Sequence, residues 1–216
     1  MQLNVFVFQG EFAVVSNKDS VLVASDDATI CVIAVVIGSE KTLLAHVDRA
    51  SQAQQLMQEA QSSLGSNCMF WLVGGELELG KAISDSLLKA FASFKNVGTY
   101  LAQGHRGCSV VAGDIGSFRL IKKFEGSREP NRLIRAGRWL WSQDKNLACC
   151  FRDGAFTVAE RPVVGPDAST KKRMIEMLQL DDEELLQMFS TSPDLEDTDF
   201  VPNLREVLNW WINQTN

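Results

Sequence analysis

Two side chains able to act as nucleophile and base near neutral pH fall at a spacing that chemistry could use. Cys31 stands in the uncharged run 30–37, and His46, one of only two histidines, follows fifteen residues later. A thiol attacks an amide effectively only as the thiolate, and a neighbouring imidazole can take its proton, so cysteine with histidine is the smallest set for nucleophilic catalysis. Ser25, Asp26 and Asp27 precede the cysteine and add a hydroxyl and two carboxylates. Each also has a plainer reading: His46 as a hydrogen-bonded histidine on a half-buried strand, the aspartates as turn formers.

The elements around these residues decide whether they can meet. The β-branched run 30–37, bounded by Gly38, reads as a strand covered on both faces. Gly38-Ser39-Glu40-Lys41 turns the chain and 42–47 reads as the partner strand, so the hairpin returns His46 towards Cys31 at its open end. Upstream, 3–8 and 11–16 read as a hairpin about Gln9-Gly10, and 21–25 is a third strand leading into Asp26-Asp27. Downstream, Ala50, Ala53, Leu56, Met57, Ala60 and Leu64 recur at helical intervals up to Gly65, and 68–73 is a strand closed by Gly74-Gly75.

A second helix is expected from near Glu78, with Leu79, Ala82, Ile83, Leu87, Ala90, Phe91 and Phe94 as its buried stripe. Strands follow at 96–102, 109–112 and 117–122, then a helix from Pro130 that turns Leu133, Ile134, Ala136, Leu140 and Trp141 inward, then strands at 148–151 and 155–158. Beyond Pro162 and Pro166 three helices are expected, at 171–180, 182–189 and 203–213. The fold class is α+β, with mixed, mainly antiparallel strands flanked by helices over 1–160. Residues 161–216 form a helical C-terminal segment expected to pack on that core as an appendage of a single domain.

Bulk properties exclude several roles. With 21 Lys and Arg against 27 Asp and Glu, a net charge of −6 and no basic block, nucleic acid is repelled more than attracted. No stretch reaches the roughly 18 to 20 apolar residues of a membrane span, and Asn4, Gln9, Gly10 and Glu11 interrupt any leader-like start. Five cysteines without ladder-like spacing fit a reducing cytosol. Two histidines and no CxxC or HxxxH leave no converging zinc ligands, and Gly74-Gly75 lacks the further Gly and Lys of a phosphate loop, so neither metal nor organic cofactor is implied. Cys68, Cys149 and Cys150 sit in apolar stretches as buried thiols, and Cys108 with His105, in a Gly-flanked loop, is a secondary candidate pair.

Three blocks occur in order: Ser25-Asp26-Asp27-Ala28-Thr29-Ile30-Cys31, Leu44-Ala45-His46-Val47-Asp48, and Leu72-Val73-Gly74-Gly75 opening a helix. Together with Leu180-Asp181-Asp182 and Ser190-Thr191-Ser192-Pro193, they resemble the eukaryotic-type protein N-terminal asparagine amidohydrolases across almost the whole chain. More distantly, the Cys-then-His order is similar to chemoreceptor glutamine deamidases and to the deamidase domain of cytotoxic necrotizing factor toxins, which implies a sandwich-like core. The resemblance implies a cytoplasmic, cofactor-independent hydrolase of the N-degron pathway that converts an N-terminal asparagine of proteins or peptides to aspartate and releases ammonia. It makes Cys31 the nucleophile, His46 its base and Ser25 the group that orients the base.

An enzyme confined to chain ends must also read a free α-ammonium, and Asp26, Asp27 and Glu76 are the acids expected nearest the site. Acids close to His46 would raise its proton affinity. Backbone N–H groups at Cys31 or the Gly74-Gly75 turn are the expected oxyanion donors. Two departures from the family pattern stand out: Val32 occupies the position after the nucleophile where a second histidine is common, and the long N-terminal extension of familiar eukaryotic members is lacking. Two other readings stay open, a deamidase of internal Gln or Asn and a catalytically silent module that binds N-terminal residues.

Overall fold

The structure is a computed structural model that describes residues 4–65, 67–75, 78–92, 94, 99–102, 105–126, 147–156, 166–190, 193–196 and 198–213. Its centre is β4 (Val32–Ile37), in which every residue is buried. A strand without a polar position can satisfy the hydrophobic effect only if both of its faces are covered. β4 lies antiparallel between β5 (Lys41–Val47) and β6 (Met69–Gly74). The sheet extends through β2 (Glu11–Ser16), β10 (Ala148–Arg152) and β11 (Ala155–Phe156) on one side and β7 (Thr99–Ala102) on the other, in the order β11-β10-β2-β5-β4-β6-β7.

A second, four-stranded sheet runs β1-β3-β8-β9, from β1 (Asn4–Phe6), β3 (Leu22–Ser25), β8 (Gly107–Val111) and β9 (Asp114–Ile121). Odd-numbered residues of β4, Ile33, Val35 and Ile37, pack with Val5, Val23, Cys108 and Val110 of this sheet. The even-numbered residues Val32, Ala34 and Val36 face the other way, against Leu56 and Ala60 of α1 (Ala53–Leu64) and Ile83, Leu87 and Phe91 of α2 (Glu78–Phe91). The body is thus a two-sheet sandwich with a helical layer on its larger sheet, the α+β architecture expected from the sequence.

Two expectations are corrected. β1 and β2 do not form a hairpin: β1 pairs in parallel with β3, whereas β2 pairs antiparallel with β5 in the other sheet. Val5, Val7, Ala13 and Val15 all enter the same inter-sheet core, and filling it from both sides requires the chain to change layers at Gln9-Gly10. Gly10 turns there with φ +73° and donates its N–H to the His46 carbonyl at 2.8 Å, tying the crossing to β5. In α2 the buried stripe is Gly80, Ile83, Leu87 and Phe91, and Leu79 is 65% exposed.

The C-terminal helices form a unit with its own core. α3 (Ala168–Met177), α4 (Asp182–Phe189) and α5 (Phe200–Ile212) enclose Met174, Leu185, Val201, Leu204, Leu208 and Trp211. Asp167 caps α3 through the Thr170 N–H, which starts that helix before the expected residue 171. Asp181 and Glu184 form a capping box on α4. The Arg205 guanidinium then donates to the Leu178 and Leu180 carbonyls and to Asp182 Oδ1, binding the three helices together. The helix expected from Pro130 lies outside the described residues.

Candidate active site

Ser25 ends β3 in the smaller sheet and Cys31 precedes β4 in the larger one, so residues 26–30 carry the chain across the sandwich. The crossing is bracketed by hydrogen bonds. The Ala28 N–H donates to the Arg106 carbonyl at 2.9 Å, the Thr29 N–H to the Asp27 carbonyl at 3.1 Å, and the Phe124 N–H to Asp26 Oδ2 at 2.6 Å. Asp26 is 2% exposed, so its carboxylate braces the crossing from within, whereas Asp27 is exposed at φ +60°. An aspartate tolerates that left-handed geometry better than most residues.

Gly74 and Gly75 lie directly against this segment. The Gly75 N–H donates to the Cys31 carbonyl at 3.0 Å, which extends the β4–β6 register by one step beyond Val32↔Gly74. That N–H is therefore engaged with the Cys31 backbone. A Cβ on Gly74 would sit 2.8 Å from the Cys31 carbonyl oxygen and press still harder on that of Ala28, and its φ is +91°. Only glycine admits so close an approach of two backbones in that conformation. Glu76 lies outside the described residues.

His46 stands on β5 with its side chain in the inter-sheet layer, 3% exposed. Ser25 Oγ, on the opposite sheet, is 2.7 Å from the Val7 carbonyl oxygen and 2.8 Å from His46 Nδ1. A hydroxyl has one proton to give. Donated to the Val7 carbonyl, which can only accept, it leaves Oγ to accept from His46, so Nδ1 carries the ring hydrogen. The lone pair is then on Nε2, which is buried and has no hydrogen-bond partner among the described residues. Leaving such an acceptor unsatisfied costs about 1–3 kcal/mol, and atoms of this kind recur where chemistry is done.

Register places Cys31 beside that ring. His46 pairs with Ile33, and Cys31, two residues earlier, packs in the same inter-sheet cluster as Ile33. Diagonal positions of this kind have Cα atoms about 7–8 Å apart, a span that side chains can close. Cys31 is 8% exposed, against 3% for Cys68 and 0% for Cys108, so it is the least buried of these three thiols. Burial raises the proton affinity of both Cys68 and Cys108, most strongly for Cys108, which opposes thiolate formation. His105 is exposed while Cys108 is wholly buried, so the structure does not join the secondary pair.

Burial also lowers the His46 pKa from 6.5 to about 3. The acids expected to raise it do not prevail over desolvation, and the resting ring is neutral, as a base awaiting a proton must be. Val32 belongs to the opposite face, packed in the sheet–helix layer at 0% exposure. The residue that departs from the family pattern therefore points away from Cys31.

Two contributors went unread in the sequence. The Val7 carbonyl directs the Ser25 proton, a backbone role that no side-chain pattern announces. Asp48 follows His46 by two residues, so strand alternation could have placed it on the same face. Its side chain is 9% exposed. Oδ2 lies 3.5 Å from Gln9 Nε2 and 3.8 Å from Arg49 Nε, and Oδ1 is buried with no partner among the described residues.

A family model described as protein N-terminal asparagine amidohydrolase matches residues 1–96 and 110–216, blocks that contain every residue of this site. A protein of Arabidopsis thaliana named protein N-terminal asparagine amidohydrolase is 28% identical over 254 aligned positions, covering 95% of this chain and 72% of the relative.

Two measurements probe the site without assuming a substrate. Gly74→Ala should destabilise the protein by at least about 2 kcal/mol, because it adds a clash to a left-handed backbone; an unchanged melting temperature would contradict the cradle. Since the unfolded chain binds the His46 proton near pH 6.5 and the folded chain only near 3, this group's contribution is complete above pH 6.5 and is lost as pH falls towards 3. Urea titrations from pH 7 to 4 should therefore show wild-type stability falling by up to about 1.4 kcal/mol per pH unit from this group. His46→Gln should be flatter over the same range, and equal slopes would rule out a buried neutral imidazole.

Proposed function

The chain belongs to the protein N-terminal asparagine amidohydrolase family, and we propose that it hydrolyses the side-chain amide of an N-terminal asparagine, leaving aspartate and releasing ammonia. One observation carries the mechanistic part: Ser25 holds His46 in the Nδ1–H tautomer, and the ring's unpartnered Nε2 lies on the sheet face that Cys31 shares. That is the arrangement a general base needs towards a thiol.

In this reading Nε2 takes the Cys31 proton and the thiolate attacks the carboxamide carbon of the asparagine. The resulting tetrahedral adduct collapses as the protonated ring gives its proton to the departing nitrogen, so ammonia leaves and a thioester remains. Water, deprotonated by the same Nε2, then attacks the thioester, and the returned proton restores the Cys31 thiol. Ser25 keeps the ring in one orientation through both halves, because its own proton stays committed to Val7. The imidazolium that forms transiently also keeps its Nδ1–H bonded to Ser25 Oγ, which lowers the cost of charging a buried ring.

The reaction makes an N-terminal aspartate, the step that the family resemblance assigns to the N-degron pathway in the cytoplasm. Val32 packs in the other layer, so its departure from the family pattern leaves the face of Cys31 and His46 unaltered, which supports a working site.

Peptides led by Asn, Gln or Asp, and an Nα-acetylated Asn peptide, test the reading by ammonia release. The Asn-led peptide should be hydrolysed and the acetylated one should not; the reverse outcome would overturn specificity for chain ends. Cys31→Ala should lower the rate by at least about 10³-fold, as loss of a nucleophile does, while Cys108→Ala keeps it within about threefold.

A further inference from the structure

Asp26 and Asp27, two of the acids first expected to meet the substrate's ammonium, are poorly placed for it. Asp26 is buried and braces Phe124, and Asp27 is exposed, where water screens its charge. Asp48 combines what both lack. The β4–β5 ladder closes on Val32↔Val47, and the next pair outward in that register is Cys31 with Asp48. β5 ends at Val47, and its alternation carried one residue further puts Asp48 on the face of Leu44 and His46.

The side chain is oriented before any substrate arrives. Gln52, 2% exposed, accepts the N–H groups of Asp48 and Arg49 on its Oε1 at 3.1 and 3.3 Å, which fixes the backbone that carries the carboxylate. Oδ2 is engaged at long range by Gln9 and Arg49, and the Arg49 side chain is itself 43% exposed. Oδ1 is buried and lacks a donor among the described residues, as does His46 Nε2 on the same sheet face. Two buried acceptors beside a thiol call for a ligand rich in donors. A cationic amine is the group that a carboxylate oxygen of this kind takes best.

We propose that Asp48 is the specificity residue that binds the α-ammonium of the substrate through Oδ1. The inference rests on the amidohydrolase reading and adds to it the residue that confines the reaction to chain ends. A carboxylate this buried discriminates sharply, because a blocked peptide N–H brings no charge to compensate its desolvation, whereas an ammonium does. Asp48 takes no part in proton transfer; that role stays with His46.

The test compares an Asn-led peptide with its desamino counterpart, in which hydrogen replaces the α-amine, using wild type and Asp48→Asn. Wild type should prefer the free amine by at least about 100-fold in kcat/KM, and Asp48→Asn should cut that preference at least tenfold. Activity on the desamino peptide should fall by a smaller factor than activity on the free-amine peptide. Binding to the inactive Cys31→Ala background supplies a second readout. There, affinity for the free-amine peptide should weaken as pH rises through the amine pKa of about 7.7–8.0, and adding Asp48→Asn should abolish that dependence. Asp48→Glu, which keeps the charge, should retain part of the preference. Equal losses on both peptides, or an unchanged pH dependence of binding, would overturn the role of Asp48 while leaving the amidohydrolase reading intact. Absence of ammonia from the Asn peptide with wild type would overturn both.

Discussion

The hydrogen bond between Ser25 and His46 spans the two sheets, and much of the molecule is arranged so that it can exist. Both residues lie in an apolar layer whose other members are Val5, Val23, Ile33, Leu44, Cys108 and their neighbours. In that layer a polar side chain is tolerated only if its hydrogen bonds are met. Ser25 meets this condition by donating to the Val7 carbonyl at the end of β1 and accepting from His46. The neighbouring strand β8 sets Cys108 opposite Ser25, a buried residue that gives the pair apolar surroundings rather than a competing charge. Orientation and desolvation of the base thus have one cause, the packing of one sheet on the other.

Closing a sandwich around a reactive pair demands that the chain cross between layers beside it, and backbone crowding is the consequence. The crossing 26–30 runs beneath the end of β6, where a Cβ on Gly74 would press on the Ala28 and Cys31 carbonyl oxygens. Gly75 answers the crowding by donating to the Cys31 carbonyl, so the same glycines that permit the approach also hold the cysteine's backbone. Gly80 near the start of α2 continues the pattern, since a Cβ there would meet Gly75 and the Ile30 carbonyl. Gly74 and Gly80 therefore determine how near β6 and α2 can come to the loop that carries Cys31.

How much of this was legible in the sequence follows from the range of the forces involved. The hairpin of β4 and β5 was readable because an uncharged β-branched run, a turn and a second run are local signals, and its register sets Ile33 opposite His46. The opening strands misled for the same reason. A Gln-Gly turn between two apolar runs looks like a hairpin, and only the need of the inter-sheet core for residues from both runs sends β1 and β2 to different sheets. Among the carboxylates, Asp26 and Asp27 drew attention through proximity in sequence, yet burial separates their roles completely. Asp48 is seventeen residues from Cys31 in sequence and adjacent to it only through register, which no local pattern expresses.

The low proton affinity of His46 carries a consequence for how charge must enter this site. A ring that resists protonation in its apolar layer is neutral at rest. A substrate that brought an uncompensated ammonium into the same gap would make the ring still harder to protonate, because like charges repel strongly where water is scarce. With Asp48 paired to that ammonium, the substrate's end is neutral as a unit. His46 can then accept the thiol proton without facing a second positive charge. Recognition of the amine and activation of the thiol are in that case one electrostatic requirement, met by a carboxylate just past the end of the strand that carries His46.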